Sequence, residues 1–201
     1  MPMQQDIEKV LISRDEIDER LDQLAKEIYD DILADASPCP KNGTPIIPDI
    51  TLVPILTGSI IFVADLIRRL PIKMQIRVMS ITSYPGTSTS TKGASVEAAL
   101  TRLPDNLTGH HVLIIDDILD SGNTLRLVKN ILSERNPNSI RSCMLLRKQR
   151  PEALAEPCEY VAFDIPDEFV IGYGLDYDDY YRNLPEICTL KPEVYENSSS
   201  S

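Results

Sequence analysis

The chain has 201 residues, which on a usual domain size of roughly 100 to 200 residues makes one domain with room for a substantial core. Twenty basic against 31 acidic residues give a net charge of −11, which disfavours a general binder of nucleic-acid backbone, so any phosphate must be held locally. With 42% hydrophobic and 25% charged residues it fits neither a disordered chain nor a fibre, and its longest strictly apolar run, residues 60–64, is too short to span a bilayer. Residues 1–9 show no basic segment followed by an apolar one, so the expectation is a cytoplasmic protein with no membrane partner.

A strand candidate at Ile7–Ile12 opens the pattern. Ser13 and Glu16 then stand at capping-box spacing, and Ile17, Leu21, Leu24, Ile28 and Ile32 recur with a helical period, which predicts an amphipathic helix to about Ala36. Residues 37–48 carry four of the fifteen prolines plus Asn42 and Gly43, so a loop is expected there. Beyond it, apolar strands at 50–56, 74–81, 111–115 and 139–146 alternate with helical stretches at 59–70 and 123–135, the pattern of an α/β fold with a parallel sheet between helices. Residues 82–95 are Ser, Thr, Gly and Pro with almost no apolar content and belong outside the core. After Cys158 come β-rich runs at 160–165 and 169–173, a Tyr- and Asp-rich turn and a short strand near Ile187. The expected organisation is a single domain over 1–201, with a core at about 48–157, a small hood from about 1–15 and 158–192, and a frayed serine tail at 197–201.

The four cysteines, Cys39, Cys143, Cys158 and Cys188, are widely spaced, form no C-x-x-C pair and have only two histidines for company, so free thiols are expected rather than disulfides or zinc.

Most of the chemical information lies in residues 111–124, H-V-L-I-I-D-D-I-L-D-S-G-N-T. Four apolar residues deliver Asp116 and Asp117 to the carboxyl edge of the sheet, where open α/β folds bind ligands and where carboxylates can accept hydrogen bonds from sugar hydroxyls. Asp120, Ser121, Gly122, Asn123 and Thr124 then supply backbone N–H groups, hydroxyls and a glycine at a helix N-terminus, which is a phosphate cradle without a lysine. Carboxylates beside such a cradle repel an anion unless it presents hydroxyls or brings a cation such as Mg²⁺. A phosphorylated ribose meets both conditions.

This segment resembles the signature of the type I phosphoribosyltransferases, which use 5-phosphoribosyl-1-pyrophosphate (PRPP). Residues 52–70, Ser83-Tyr84 and 164–184 (D-I-P-D-E-F-V-I-G-Y-G-L-D-Y-D-D-Y-Y-R-N-L) are similar to the hypoxanthine-guanine branch, so the resemblance covers most of the chain. It implies the type I fold, a mostly parallel central sheet flanked by helices under a small hood. It also implies a purine-salvage glycosyltransferase that makes IMP or GMP and pyrophosphate from PRPP and hypoxanthine or guanine. Dimers or tetramers, Mg²⁺ between sugar and pyrophosphate, and no nucleic-acid partner are further implications.

Residue by residue, the resemblance makes Asp120 the general base at the purine N7, a role compatible with capping the following helix. Asp116 and Asp117 match the ribose contacts and border the metal, and Ser121, Gly122, Asn123 and Thr124 match the 5′-phosphate loop. Among Arg147, Lys148 and Arg150 the family pattern selects Lys148, 21 positions before Phe169, as donor to the 6-oxo group. Phe169 would stack on the purine, where without the resemblance it reads as a core aromatic in a strand, and Val170 would address the base through its backbone. Asp176 lies near the exocyclic position or a second metal, Arg182 matches a pyrophosphate contact, and Asp178 and Asp179 read as an acidic surface turn. Thr57 and Gly58 occupy the pyrophosphate loop, where relatives often carry Leu-Lys-Gly with a cis peptide; Leu56-Thr57-Gly58 lacks that lysine. Ser83 and Tyr84 begin a segment, 83–95, that resembles the family's loop folding over the site to exclude water. Two alternatives stay open at this point: a noncatalytic PRPP or nucleotide sensor on the same scaffold, and an enzyme that prefers xanthine. A receiver-type phosphoacceptor is disfavoured because its paired aspartates belong near the start of a chain.

Overall fold

The computed structural model describes residues 2–39, 41, 44–81 and 103–196. In chain order the elements are α1 (Pro2–Asp6), β1 (Ile7–Ile12), α2 (Arg14–Ala34), β2 (Ser37–Pro38), β3 (Pro45–Ile46), β4 (Asp49–Leu56), α3 (Ile60–Ile67), β5 (Met74–Ile76), β6 (Met79–Ser80), β7 (His110–Leu119), α4 (Asn123–Ser133), β8 (Ser139–Lys148), α5 (Pro151–Ala155), β9 (Tyr160–Ile165), β10 (Val170–Ile171), β11 (Ile187–Leu190) and α6 (Pro192–Glu196).

The main sheet runs β5-β4-β7-β8-β9, with β6 beside the far end of β4, and all of its pairings are parallel. Alternation along the central strands explains the layers. Leu52, Leu113 and Ile115 face a core shared with α2 and α3, whereas Val53, Val112 and Ile114 face α4 and α5. On α2 the buried residues are Ile17, Leu21, Leu24, Ala25, Ile28 and Ile32, the stripe that the period-3.6 pattern predicts. Truncating a fully buried member such as Leu24 to alanine would cost about 2–5 kcal/mol through lost burial and the cavity left behind. The capping box is formed on both sides: the Glu16 N–H donates to Ser13 Oγ at 3.4 Å and the Ser13 N–H donates to Glu16 Oε2 at 2.8 Å.

Several boundaries differ from expectation for physical reasons. Residues 37–48 are a loop only in part, because β2 and β3 form a two-residue antiparallel hairpin; Pro38 faces Pro45 there, and prolines without N–H groups keep the ladder short. The run 74–81 is interrupted at 77–78, yet both pieces follow β4, and the Arg77 N–H donates to the Leu52 carbonyl at 2.8 Å. The strand expected at 111–115 continues through the aspartates to Leu119, since β8 pairs with it that far. The strand expected at 169–173 shrinks to β10, because Gly172, Tyr173 and Gly174 all take positive φ. Short helices α1, α5 and α6 were not foreseen. Each opens on a proline, a residue favoured at the first helical position.

The hood is a separate antiparallel sheet, β1-β11-β10, with its own small cluster of Ile171, Leu184, Cys188 and Leu190. All four cysteines are free thiols, as expected. The proposed loop 83–95 and the tail 197–201 lie outside the described residues. Among the described residues no helix is long and apolar enough to cross a membrane.

Candidate active site

Strand order reverses between β4 and β7, the place where open α/β sheets part their connections and leave a crevice at the carboxyl ends. The crevice is a cleft of about 830 Å³. It is lined by Thr57 and Gly58 beyond β4, by Asp116, Asp117 and Asp120 from β7 and its end, by Ser121, Gly122 and Thr124 before and in α4, and by Asp176, Asp179 and Arg182 from the hood. The cleft therefore gathers ten of the residues that the sequence singled out. Lys148 stands next to Asp120 at the end of β8, while Asn123, Phe169 and Val170 lie outside the lining, and Ser83 and Tyr84 fall outside the described residues.

Burial dominates the electrostatics of the two strand-end carboxylates. Asp116 is buried, and its Oδ1 accepts the Asp117 N–H at 3.0 Å; Asp117 Oδ1 in turn accepts the Ile118 N–H at 2.9 Å. Loss of solvent, and secondarily the neighbouring Asp117 charge, pushes the Asp116 carboxyl well above the ordinary carboxylate range. Burial raises Asp117 as well, against the pull of its hydrogen bonds and of Arg182. Gly58 is held to glycine by contact: a Cβ there would sit 1.6 Å from Asp117 Oδ2. The Leu56–Thr57 peptide is cis, and the loop carries Thr57 where the resemblance implies a lysine.

Five carboxylates and one guanidinium line the cleft, so a polyphosphate would meet net repulsion without a counter-cation. The donor set fits Mg²⁺, which binds through one or two carboxylates and completes its shell with water and substrate phosphates. Among the described residues no group of three or more His, Cys, Asp or Glu could hold an ion by itself.

The loop into α4 is built to present backbone. Gly122 is the N-cap at φ 75°, a left-handed conformation suited to glycine, and it contributes no side-chain cap. Asp120 does not cap this helix; its carboxylate accepts from Arg150 Nη1 at 2.9 Å. Sequence reasoning also missed Arg126. This side chain donates to Glu156 Oε2 at 2.7 Å, to Asn123 Oδ1 at 2.7 Å and to the Ser121 carbonyl at 3.1 Å, and so braces the loop from the flank. Its position one helical turn after Gly122 was the available signal.

Lys148 is not a solvated loop residue. Its side chain is only 14% exposed, 3.1 Å from Asp167 Oδ1 and 3.8 Å from Asp120 Oδ1. Phe169 is half-exposed just before β10 rather than within a strand, and it meets Tyr177 edge-on with ring centroids 5.7 Å apart. Val170 is buried. Arg182 is fully engaged, pairing with Asp176 and Asp179 at 2.9 Å each and donating to the Gly174 carbonyl at 2.9 Å. Asp179 is exposed, as a surface turn implies, yet it holds Arg182 and lines the cleft. Hood and core interlock at Gly174, where a Cβ would lie 2.1 Å from the Gly58 carbonyl oxygen, and at Tyr173, whose hydroxyl donates to Asp65 Oδ2 at 2.6 Å.

A model of the phosphoribosyl transferase domain matches residues 13–178. The chain belongs to the phosphoribosyltransferase family. It is 42% identical over 191 residues to the hypoxanthine-guanine phosphoribosyltransferase of Mycobacterium avium, which covers 95% of this chain and 89% of that one. The corresponding protein of Dictyostelium discoideum is 39% identical over 94% of this chain and 98% of its own. Among solved structures, the hypoxanthine phosphoribosyltransferase of Staphylococcus aureus superposes with a TM-score of 0.82 at 35% identity, covering 97% of each chain. A Trypanosoma cruzi phosphoribosyltransferase variant, solved with its product IMP, gives 0.81 at 34% identity over 97% of this chain and 96% of that one. This phosphoribosyltransferase is therefore a purine-salvage transferase of the hypoxanthine-guanine branch with the type I fold.

Proposed function

We propose that this phosphoribosyltransferase moves the phosphoribosyl group of PRPP onto a ring nitrogen of hypoxanthine or guanine and releases pyrophosphate, with the cleft residues in the following roles. The observation that carries the reading is the pairing of an acceptor and a donor, Asp120 and Lys148, at the ends of the adjacent strands β7 and β8. A 6-oxopurine presents N7–H and O6 side by side along one edge, and a carboxylate beside an ammonium is the matching pair. Adenine would turn an amino donor toward that ammonium.

Asp120 takes the N7 proton as the new glycosidic bond forms, and Lys148 donates to O6. Phe169 stacks on the ring and the Val170 backbone addresses its edge. Asp116 and Asp117 accept from the ribose hydroxyls, and the α4 terminus with Ser121, Gly122, Asn123 and Thr124 receives the 5′-phosphate. Thr57, Gly58 and Arg182 face the departing pyrophosphate. Mg²⁺, bordered by Asp116, Asp117 and Asp176, would neutralise phosphate charge that the acidic cleft otherwise repels. Ser83 and Tyr84 belong to the segment expected to cover the site. A cytoplasmic assembly of two or four copies completes the reading.

The test is pyrophosphate release from PRPP and Mg²⁺ with hypoxanthine, guanine, xanthine and adenine in turn. Release with the oxopurines and none with adenine is expected; no release with any oxopurine would overturn the reading. Asp120→Asn should lower kcat about a hundredfold or more while PRPP still binds, as general-base loss does. A sensor would show no rate to lose.

A further inference from the structure

Four charged side chains close a ring between the end of β7 and the hood. Arg150 Nη1 lies 2.9 Å from Asp120 Oδ1, and its Nε lies 3.6 Å from Asp167 Oδ2. Lys148 Nζ lies 3.1 Å from Asp167 Oδ1 and 3.8 Å from Asp120 Oδ1. Signs alternate around the ring, and the short contacts are not shared evenly: Asp120 gives its close contact to Arg150, and Lys148 gives its own to Asp167. A guanidinium is a planar fork that can reach two carboxylates at once, whereas an ammonium is a point charge. Without Arg150, Asp120 would have a single cation of this ring within reach. The 3.8 Å gap to Lys148 would then close, tying the N7–H acceptor to the O6 donor with neither aimed at a purine.

We propose that Arg150 is a positioning residue that holds the Asp120 carboxylate apart from Lys148, so that both face the purine edge, and that it hitches this pair to the hood through Asp167. The inference rests on the reaction assigned above and deepens it; Arg150 itself need not touch substrate.

The experiment is steady-state kinetics with hypoxanthine and PRPP varied separately, on the unaltered protein and on Arg150→Gln, Arg150→Lys and Asp167→Asn, with thermal unfolding alongside. Arg150→Gln should lower kcat/KM for hypoxanthine about tenfold to a hundredfold and leave the PRPP KM within about twofold, because the misplacement is confined to the base subsite. Arg150→Lys should regain part of the loss, since a lysine restores the charge but not the fork. Asp167→Asn should act in the same direction and more weakly, and adding it to Arg150→Gln should cost less than it does alone, as expected for two residues of one bridge.

Unchanged kinetics for hypoxanthine in Arg150→Gln would overturn the proposal. So would a matched rise in both KM values with a fall in Tm that lysine does not repair, which is the signature of a merely structural contact. Should Arg150→Gln fail to fold, Arg150→Lys and Asp167→Asn carry the same readouts. Absence of turnover by the unaltered protein would instead sink the assigned reaction, and this inference with it.

Discussion

Gly58 shows how a single missing side chain can set the geometry of a cleft. Its Cα faces the Asp117 carboxylate so closely that a methyl group would lie 1.6 Å from one oxygen and 2.5 Å from the carboxyl carbon. Asp117 is anchored by the Ile118 N–H, so Gly58→Ala must push the carboxylate out of place or move the loop. We expect PRPP affinity to fall about tenfold or more, since small displacements at a reacting centre cost that much, with little change in Tm. Binding of PRPP followed by calorimetry checks it, and wild-type affinity in the alanine variant would rule out this packing as the reason for the glycine. At this scale the sequence was informative about identity and poor about partners. Asp116, Asp117 and Asp120 could be read from one fourteen-residue segment, because strand, turn and helix follow there without interruption. Arg150, Asp167 and Arg126 could not, because their roles depend on contacts 30 residues away, Arg150 with Asp120 and Arg126 with Glu156, and for Asp167 on the end of the neighbouring strand β8.

Among the elements, α2 was the most legible and β10 the least. The helix announces its start in Ser13 and Glu16 and its buried face in five evenly recurring aliphatics, all local signals. The hood strand stops early because of backbone conformations at Gly172, Tyr173 and Gly174, and only the glycines hint at that in the sequence. The α2 cap also yields a pH dependence. Hydrogen bonds from the Ser13 side chain and backbone hold the Glu16 carboxyl below its ordinary value. A depressed folded-state value means that its contribution to stability is present above the ordinary carboxylate range and is lost as the pH falls through the lowered value. Ser13→Ala should therefore lower Tm by about 2–4 °C at neutral pH, and the difference should shrink in strong acid to what the uncharged Glu16 N–H to Ser13 Oγ bond supplies. Calorimetric scans across pH measure this, and an equal difference at every pH would contradict it.

Over the whole molecule, the alternation of apolar strands and amphipathic helices sufficed for a parallel α/β sheet, whereas nothing local revealed that β1 and β11, at opposite ends of the sequence, are partners. Their register places Val10 opposite Cys188, a fully buried thiol that burial, and then the Glu186 charge, pushes up to about 11. Cys143 is likewise raised by burial in the main core, while Cys39 is partly exposed in the hairpin. A thiol reagent at mildly alkaline pH should thus modify Cys39 first and leave Cys143 and Cys188 untouched until unfolding. Val10→Pro, which disturbs the hood ladder, should unmask Cys188 alone and weaken purine binding before PRPP binding. Mass spectrometry of labelled peptides reads both outcomes; simultaneous labelling of Cys143 and Cys188 would show that hood and core open together.

The pairing of β1 with β11 also has a bearing on biosynthesis. β1 waits for a partner translated long after it, while the sheet between them in chain order can assemble as it emerges from the ribosome. On the roles proposed above, a nascent chain would acquire its sugar-phosphate grip before Phe169 and Val170 could floor the nucleobase, and competence for turnover would wait for β11.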